Sequence, residues 1–277
     1  MKIKTAAIQM RTQILEPELN LEKGYGLLEK ALNEGAKLVV MPEMWVVGLY
    51  PDVLKSPYVL KTAEIIEEIS GLARQSAAVI VAGSHPHIDY YDSKTDKRIF
   101  NRVYVINQSG SVCGTYNKIQ LFKKNNEHAY SKPGFKIFNI QTDNFIISPF
   151  VCFDLRFPEL FRIAAFNGAE IISVSSQFPA SRISHWRSLL TARAIENQCF
   201  VVASNSCGFD GLLELGGNSM IISPTGDILV ECGGEEGIIY HEIDMDELRD
   251  YRNKFNFIEE AVLKDDLKSY INKNLIN

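Results

Sequence analysis

Long apolar runs are missing from this sequence. Nowhere do about 18 apolar residues follow one another, so no segment reads as a membrane-spanning helix. The first ten residues, MKIKTAAIQM, carry lysines but no apolar stretch of the needed length, and no signal peptide is expected. Basic clusters are missing too: none exceeds the lysine pair of Phe122-Lys123-Lys124, and the formal net charge is −5. Attraction to a phosphate backbone therefore has no footprint, which disfavours a nucleic-acid partner. The five cysteines, Cys113, Cys152, Cys199, Cys207 and Cys232, are odd in number, widely spaced and form no CxxC pair. Free thiols in a reducing cytoplasm are the expectation. No Pro/Gly/Ser-rich linker or low-complexity stretch divides the chain. What remains is an ordinary globular composition, 46% hydrophobic and 23% charged, in 277 residues that can bury a sizeable core.

Read in order, the chain alternates strands and helices. Ile3 to Met10, Lys37 to Met41 and Val79 to Gly83 read as strands, with helices over Asn20 to Asn33 and Tyr58 to Ala77. Arg98 to Asn107 and Ser111 to Tyr116 form a hairpin turning at Gln108-Ser-Gly110. Lys118 to Gly134 is a long charged loop, and loops of that length in a compact domain are usually functional. Strands follow at Lys136 to Ile140, Phe145 to Val151, Glu170 to Ser175, Cys199 to Ala203, Ser219 to Ser223, Asp227 to Glu231 and Ile238 to Ile243. Helices are expected from Pro158 to Phe166, over Ile183 to Asn197 and over Asp244 to Arg252, with an amphipathic tail helix over Glu259 to Asn277. Alternating strands and helices together with hairpins require mixed sheets. Two such sheets packed face to face, with helices outside each, would bury this many apolar strands in one α/β domain.

Three chemically active residues stand just past strand ends, where α/β sheets hold their ligands. Cys152 ends the apolar run Phe145 to Val151, and Pro158-Glu159-Leu160 soon opens a helix, so the cysteine sits on a rigid elbow. Glu43 follows Pro42 after Leu38 to Met41, and Lys118 follows Ser111 to Tyr116. Each has a plainer reading: a core cysteine, a first-turn acid, a solvated loop lysine. Together they make an acyl-transfer set. A thiolate attacks, and a neighbouring ammonium would lower its pKa. The carboxylate shuttles the proton, and the ammonium with an elbow N–H, that of Phe153, holds the oxyanion.

Met41-Pro-Glu-Met44, Tyr116-Asn-Lys-Ile119 and Val151-Cys-Phe-Asp-Leu-Arg-Phe-Pro-Glu159 resemble the three signature blocks of the nitrilase superfamily, the carbon–nitrogen hydrolases, in the same order and at similar separations. His185-Trp186 and Thr191 to Asn197 resemble its late helix. The resemblance runs from about residue 3 to 255. It implies a four-layer αββα sandwich, a Glu43–Lys118–Cys152 triad, and neither metal nor organic cofactor. It also implies a second glutamate, Glu127, that orients the site. Gln120 departs from the His that relatives often carry there. Cys152-Phe-Asp-Leu-Arg-Phe-Pro-Glu-Leu160, Glu127-His128 and Gln177-Phe-Pro-Ala-Ser-Arg182 are similar to the branch that hydrolyses ω-amides of 2-oxo acids. On that resemblance Arg156 clamps a substrate carboxylate, and His128 and Gln177 line the pocket. The plainer reading of Arg156 is a salt bridge with Glu159 or another acid, and Arg182 or Lys124 are alternative carboxylate readers. Residues 1–255 would form the hydrolase domain and 256–277 a helical tail on the domain or at an oligomer interface, in a homodimer or larger assembly of this chain.

Rival readings carry their own marks. A Cys–His enzyme needs an imidazole at Cys152, yet His85, His87, His128, His185 and His241 lie in no pattern demanding it. His85 and His87 share a strand face and supply half a metal site, but no third ligand is evident. Deaminated glutathione or an N-carbamoyl amino acid are alternative substrates. Outside single-chain catalysis stand an ammonia-supplying subunit and a binding-only relative. The first would need a separate partner chain, and the intact triad argues against the second.

Overall fold

The computed structural model describes residues 1–50, 53, 56–90, 97–262 and 264–266. Its first half contains β1 (Lys2–Gln9), α1 (Pro17–Asn33), β2 (Leu38–Val40), α2 (Thr62–Ser76), β3 (Val79–Tyr90), β4 (Lys97–Ile106), β5 (Val112–Asn117) and the short α3 (Glu127–Tyr130). Then follow β6 (Ile140–Gln141), β7 (Ile146–Val151), α4 (Pro158–Phe166), β8 (Ile171–Ser176), α5 (Ile183–Asn197) and β9 (Phe200–Asn205). The chain closes through β10 (Cys207–Phe209), β11 (Glu214–Gly216), β12 (Met220–Ile222), β13 (Ile228–Glu231), β14 (Gly237–Asp244) and α6 (Met245–Lys254).

Two six-stranded sheets result, in the orders β14-β1-β2-β3-β4-β5 and β13-β12-β9-β8-β7-β6. Both are mixed: β1, β2 and β3 run parallel, as do β7, β8 and β9, and antiparallel strands flank each set. Residue alternation builds the layers, because successive strand side chains point to opposite faces. Ala7, Leu38, Val40, Val79 and Val81 join a core with Ile147, Ile171 and Val201 of the other sheet. Their neighbours Ala6, Ile8, Val39, Met41 and Ile80 pack instead with Leu28, Leu32, Ile66 and Ile69 of α1 and α2. On the far side, Phe161, Trp186 and Leu190 of α4 and α5 cover the second sheet. The architecture is the four-layer αββα sandwich. No helix among the described residues is long and apolar enough to cross a membrane.

Several elements differ from the sequence expectation for local reasons. α1 begins at Pro17, where proline needs no N–H partner. Pro57–Val59 forms its own 3₁₀ turn ahead of α2, capped by the Ser56 hydroxyl. β3 runs on past Gly83 to Tyr90 through a register shift, which its polar second half hid. The expected strand at Lys136 to Ile140 shrinks to Ile140–Gln141, paired only at the edge with β7. The short hairpin β10–β11 was not anticipated at all. Most of the expected tail helix lies outside the described residues. Within them, Phe257–Glu260 is a turn and Ile258 packs on Ala165 and Phe166.

Trp45, two residues past Glu43, fixes this corner of the fold. It is fully buried, its Nε1 donates to Ala82 O (2.9 Å), and a Cβ on Gly24 of α1 would stand 2.2 Å from its ring. Gly24→Ala should therefore cost about 1–3 kcal/mol by overpacking, despite the better helix propensity of Ala. Gly26 on the same helix has nothing within 4 Å of the added atom, and Gly26→Ala should stabilise by about 0.5–1 kcal/mol. Urea unfolding of the two variants gives opposite signs if the Trp45 packing is as described.

Candidate active site

The carboxyl end of β2 delivers the first group. Met41 still pairs along β3, its N–H donating to Val81 O (3.0 Å), and Pro42 then breaks the ladder. At Gly83, φ is +72° and a Cβ would stand 2.2 Å from Pro42 O, so glycine lets β3 close around the corner. Beyond it, the Ser84 hydroxyl accepts from Met44 N (3.1 Å). Glu43 is thereby fixed and wholly buried. Its Oε1 accepts from Lys118 Nζ (2.8 Å) and Asn101 Nδ2 (2.8 Å), and its Oε2 from Gln177 N (3.0 Å). Gln177, just past β8, also donates from Nε2 to Glu43 O (2.9 Å).

Lys118 follows β5 and is equally buried. Its ammonium lies 2.8 Å from Glu43 and 2.9 Å from the carboxylate of Glu127. Glu127 opens α3 and also accepts from Phe122 N (2.7 Å) and Asn101 Nδ2 (3.3 Å). Burial alone would lower the Lys118 pKa. Glu127 and Glu43 more than reverse that, holding it well above the usual lysine value. Lys118 is a permanent cation here.

Cys152 ends β7 with φ +44° and starts the 3₁₀ turn Cys152–Arg156. A non-glycine residue in that region costs about 1–3 kcal/mol and persists only where surroundings enforce it. Asp154 does the enforcing. Its Oδ2 accepts from Val151 N (3.0 Å) and the Tyr116 hydroxyl (2.9 Å), and its Oδ1 from Gln120 N (2.8 Å). One buried carboxylate so fastens the end of β7, the end of β5 and the loop after Lys118. Burial pushes Asp154 up to about 7, although the Gln120 N–H and Lys118 pull the other way.

Burial likewise pushes the Cys152 thiol up to about 12. Glu43 adds to the rise, and Lys118, Ser176 and Gln177 offset only part of it. Lys118 does lower the thiol pKa, as its place in the sequence suggested, but burial outweighs that pull. At neutral pH the resting group is a thiol. Attack therefore needs a base in place, and Glu43 is the carboxylate whose charge the thiol feels.

Cys152, Lys118, Phe153, Arg156, Phe178 and Arg182 are among the walls of one narrow cleft. Phe153 occupies the first turn of the 3₁₀ segment, where N–H groups have no helical acceptor. The Arg156 guanidinium lies over the Phe178 ring (5.3 Å) and 3.4 Å from His185 Nδ1. Arg182 lies over Phe122 (5.3 Å). Burial and the charge of Arg182 both lower the Arg156 pKa. Neither guanidinium pairs with a carboxylate among the described residues, so the Arg156–Glu159 bridge is not formed.

His128 stands apart. It follows Glu127 in α3, where one helical step turns it to solvent, and it is not among the residues lining the cleft. His85 is buried with Nε2 against Ala82 O (3.0 Å), and burial pushes it down to about 4. His87 is held between Asp89 Oδ1 (2.7 Å) and the Tyr104 hydroxyl (2.7 Å). No trio of His, Cys, Asp or Glu suited to a metal occurs among the described residues. Two residues that sequence reasoning missed are Asn101, which bridges both glutamates, and Asp154. Each sits among apolar residues with an arginine close by, at Arg102 and Arg156, a pattern that marks neither as part of a site.

The strand ends of the sandwich gather a thiol, a carboxylate and an ammonium, and α3 adds a second carboxylate. The chain belongs to the carbon–nitrogen hydrolase family, whose sequence model matches residues 4–253. It is 34% identical to the 2-oxoglutaramate amidase of Bacillus subtilis (strain 168), over 91% of this chain and 95% of that one. It is 33% identical to the omega-amidase YafV of Escherichia coli (strain K12), over 82% and 85%. Among solved structures, Saccharomyces cerevisiae Nit3 superposes with a TM-score of 0.81 at 27% identity, over 92% of this chain and 94% of that one. A glutamate-to-glutamine variant of an amidase from Nesterenkonia sp. matches with a TM-score of 0.78 at 27% identity, over 92% and 95%. In that structure the acetamide moiety of fluoroacetamide is covalently added at the active-site cysteine.

The electrostatics can be tested without substrate. Methyl methanethiosulfonate should react with Cys152 at a rate that climbs with pH well beyond 9, because burial and Glu43 disfavour the thiolate. Glu43→Gln removes the opposing charge, so the climb should begin at lower pH. A climb centred near 8.5 in wild type, or no shift in the variant, contradicts this picture.

Proposed function

We propose that the protein is a thiol amidohydrolase that cleaves the ω-amide of a small 2-oxo dicarboxylic acid and releases ammonia through a thioester on Cys152. The observation that carries the reading is the Lys118 ammonium bound to Glu43 at 2.8 Å beside the Cys152 cleft, with two carboxylate-free guanidiniums, Arg156 and Arg182, in the cleft wall. The relatives named above as 2-oxoglutaramate amidase and omega-amidase support the same substrate class.

In this mechanism Glu43 takes the thiol proton as Cys152 Sγ attacks the amide carbon. Negative charge moves from Glu43 to sulfur and on to the carbonyl oxygen, all within reach of one cation. Lys118 and the Phe153 N–H stabilise that oxygen. Glu43 then protonates the departing nitrogen, and ammonia leaves. A water deprotonated by Glu43 attacks the thioester, and the thiol is restored with its proton. Glu127 shares the Lys118 charge and fixes its position. The small cleft favours an unbranched acyl chain, and an anion at its far end meets Arg156 and Arg182.

Two outcomes follow for the chemical step. Glu43→Gln should lower kcat by about 100-fold or more with little change in substrate binding, as loss of a general base does. Lys118→Ala should fall at least as far, and near wild-type kcat in either variant would end the triad reading.

Specificity is tested by pairing Arg156→Met with two substrates, 2-oxoglutaramate and an uncharged amide of similar length. Truncating one member of a desolvated charge pair costs about 2–5 kcal/mol, and Arg182 compensates in part. The expected fall in kcat/KM is therefore about 10- to 100-fold for the charged substrate alone. Removing charge from both sides should not add to the loss. Additive losses would make Arg156 structural and shift the carboxylate to Arg182. Preference of wild type for the uncharged amide would remove the 2-oxo acid assignment.

A further inference from the structure

Ser176, the last residue of β8, carries a hydroxyl that the mechanism above leaves unused. The residue has no exposed surface, and its Oγ completes no hydrogen bond among the described residues. A buried polar group without a partner carries a desolvation cost and calls for an explanation. Ser173 and Ser175 of the same strand share that condition, so it is direction that sets Ser176 apart.

Strand register gives the direction. Ser175 pairs with Ser204, whose hydroxyl crosses to Ile8 O of the other sheet. Ser176 pairs with Asn205 and takes the opposite face of the strand. On the other side of β8, Val151 of β7 pairs with Ser175, which brings the next two residues, Cys152 and Ser176, abreast. The Ser176 backbone is fixed from both directions. Its oxygen accepts from Ser206 N (3.0 Å), and the following N–H, that of Gln177, donates to Glu43 Oε2 (3.0 Å).

Three groups near the sulfur favour its charged form: the Lys118 ammonium, the Ser176 hydroxyl and the Gln177 N–H. Two of them are already engaged. Lys118 is held by Glu43 and Glu127, and the Gln177 N–H by Glu43. The Ser176 hydroxyl alone of the three is uncommitted. A thiol sulfur is a weak acceptor and gives it little to bind. A thiolate is an anion, to which a hydroxyl makes a charge-assisted bond.

Building on the amidase reading above, we infer that Ser176 is a further catalytic residue, whose hydroxyl donates to Cys152 Sγ only while the sulfur carries negative charge. As the thiol proton passes to Glu43 and Sγ bonds to the acyl carbon, the Ser176 hydroxyl turns to the sulfur. The contact relaxes once the thioester is formed. It returns when water has attacked the thioester and the C–S bond breaks, and it ends when Glu43 gives a proton back to the sulfur. Ser176 keeps its own proton throughout. A contact made in the transition state and not in the resting enzyme raises kcat rather than tightening binding.

The test compares Ser176→Ala with Ser175→Ala, which removes the neighbouring hydroxyl on the other face. Modification of Cys152 by methyl methanethiosulfonate at about pH 8, followed by peptide mass spectrometry, reads the thiol without substrate. Loss of a hydrogen bond to a charged group should raise the thiol by about one to two pH units. The greater nucleophilicity of a more basic sulfur offsets about half of that. Ser176→Ala should therefore react about 3- to 10-fold more slowly, although its smaller side chain leaves the reagent more room. Its kcat for 2-oxoglutaramate should fall about 10-fold with KM little changed, and its melting temperature should hold or rise. Ser175→Ala should match wild type in both rates. Unchanged or faster modification of Ser176→Ala overturns the assignment and leaves the amidase reading standing. An equal slowing in Ser175→Ala, or a fall in melting temperature alongside the loss, also overturns it, since either makes the hydroxyl a packing group. If wild type hydrolyses no amide, the proposed function fails, and the modification rates still decide whether Ser176 serves the sulfur.

Discussion

An ammonium buried between two carboxylates is the constraint on which the rest of this molecule depends. Lys118 has no exposed surface, nor do Glu43 and Glu127. Removing one partner from such a group leaves an uncompensated interior charge, at a cost of about 3–5 kcal/mol. The surrounding structure reads as provision against that. Asn101 donates to both carboxylates, Gln177 to Glu43 and Phe122 to Glu127, and they come from β4, the end of β8 and the loop before α3. Elements of both sheets are therefore tied to one charge cluster. The cluster carries one net negative charge, which raises the cost of a second anion beside it.

Burial and that charge together set the character of the thiol. Cys152 is pushed up to about 12 mainly by burial, with Glu43 adding to it. In the proposed mechanism the thiol gives its proton to Glu43 as sulfur bonds to the acyl carbon, so the total charge of the cluster stays constant. The left-handed backbone at Cys152 and the Asp154 clasp serve the same end by fixing the sulfur where the exchange can occur. Beside this cluster, the guanidiniums of Arg156 and Arg182 lie over Phe178 and Phe122 in the cleft wall.

Much of this was legible in the sequence. Glu43 and Cys152 each follow an apolar run closely, Lys118 follows a predicted strand, and Pro42 and Pro158 punctuate the chain near two of them, so strand ends and elbow could be located. The two-sheet sandwich was legible because apolar alternation recurs in both halves. Asn101 and Asp154 were not, since a polar residue in a strand or elbow has no pattern until the fold brings its partners to it. The pull of Lys118 on the thiol was legible, while burial, the larger influence here, is a property of the packed structure. β3 beyond Gly83 and the edge pairing at Ile140 are held by neighbouring strands rather than by local preference, and tertiary context routinely overrides such preference. His128 stood in a suggestive place, but a helix sends adjacent residues to different faces.

The central claim is that Cys152 alone forms the covalent bond to substrate. Acid-quenched turnover of 2-oxoglutaramate, followed by peptide mass spectrometry, measures this directly. The account predicts an acyl adduct on the peptide carrying Cys152, absent from the peptides carrying Cys113, Cys199, Cys207 and Cys232, and lost with ammonia release in Cys152→Ala. An adduct on any of the other four cysteines, or turnover that survives Cys152→Ala, would contradict it.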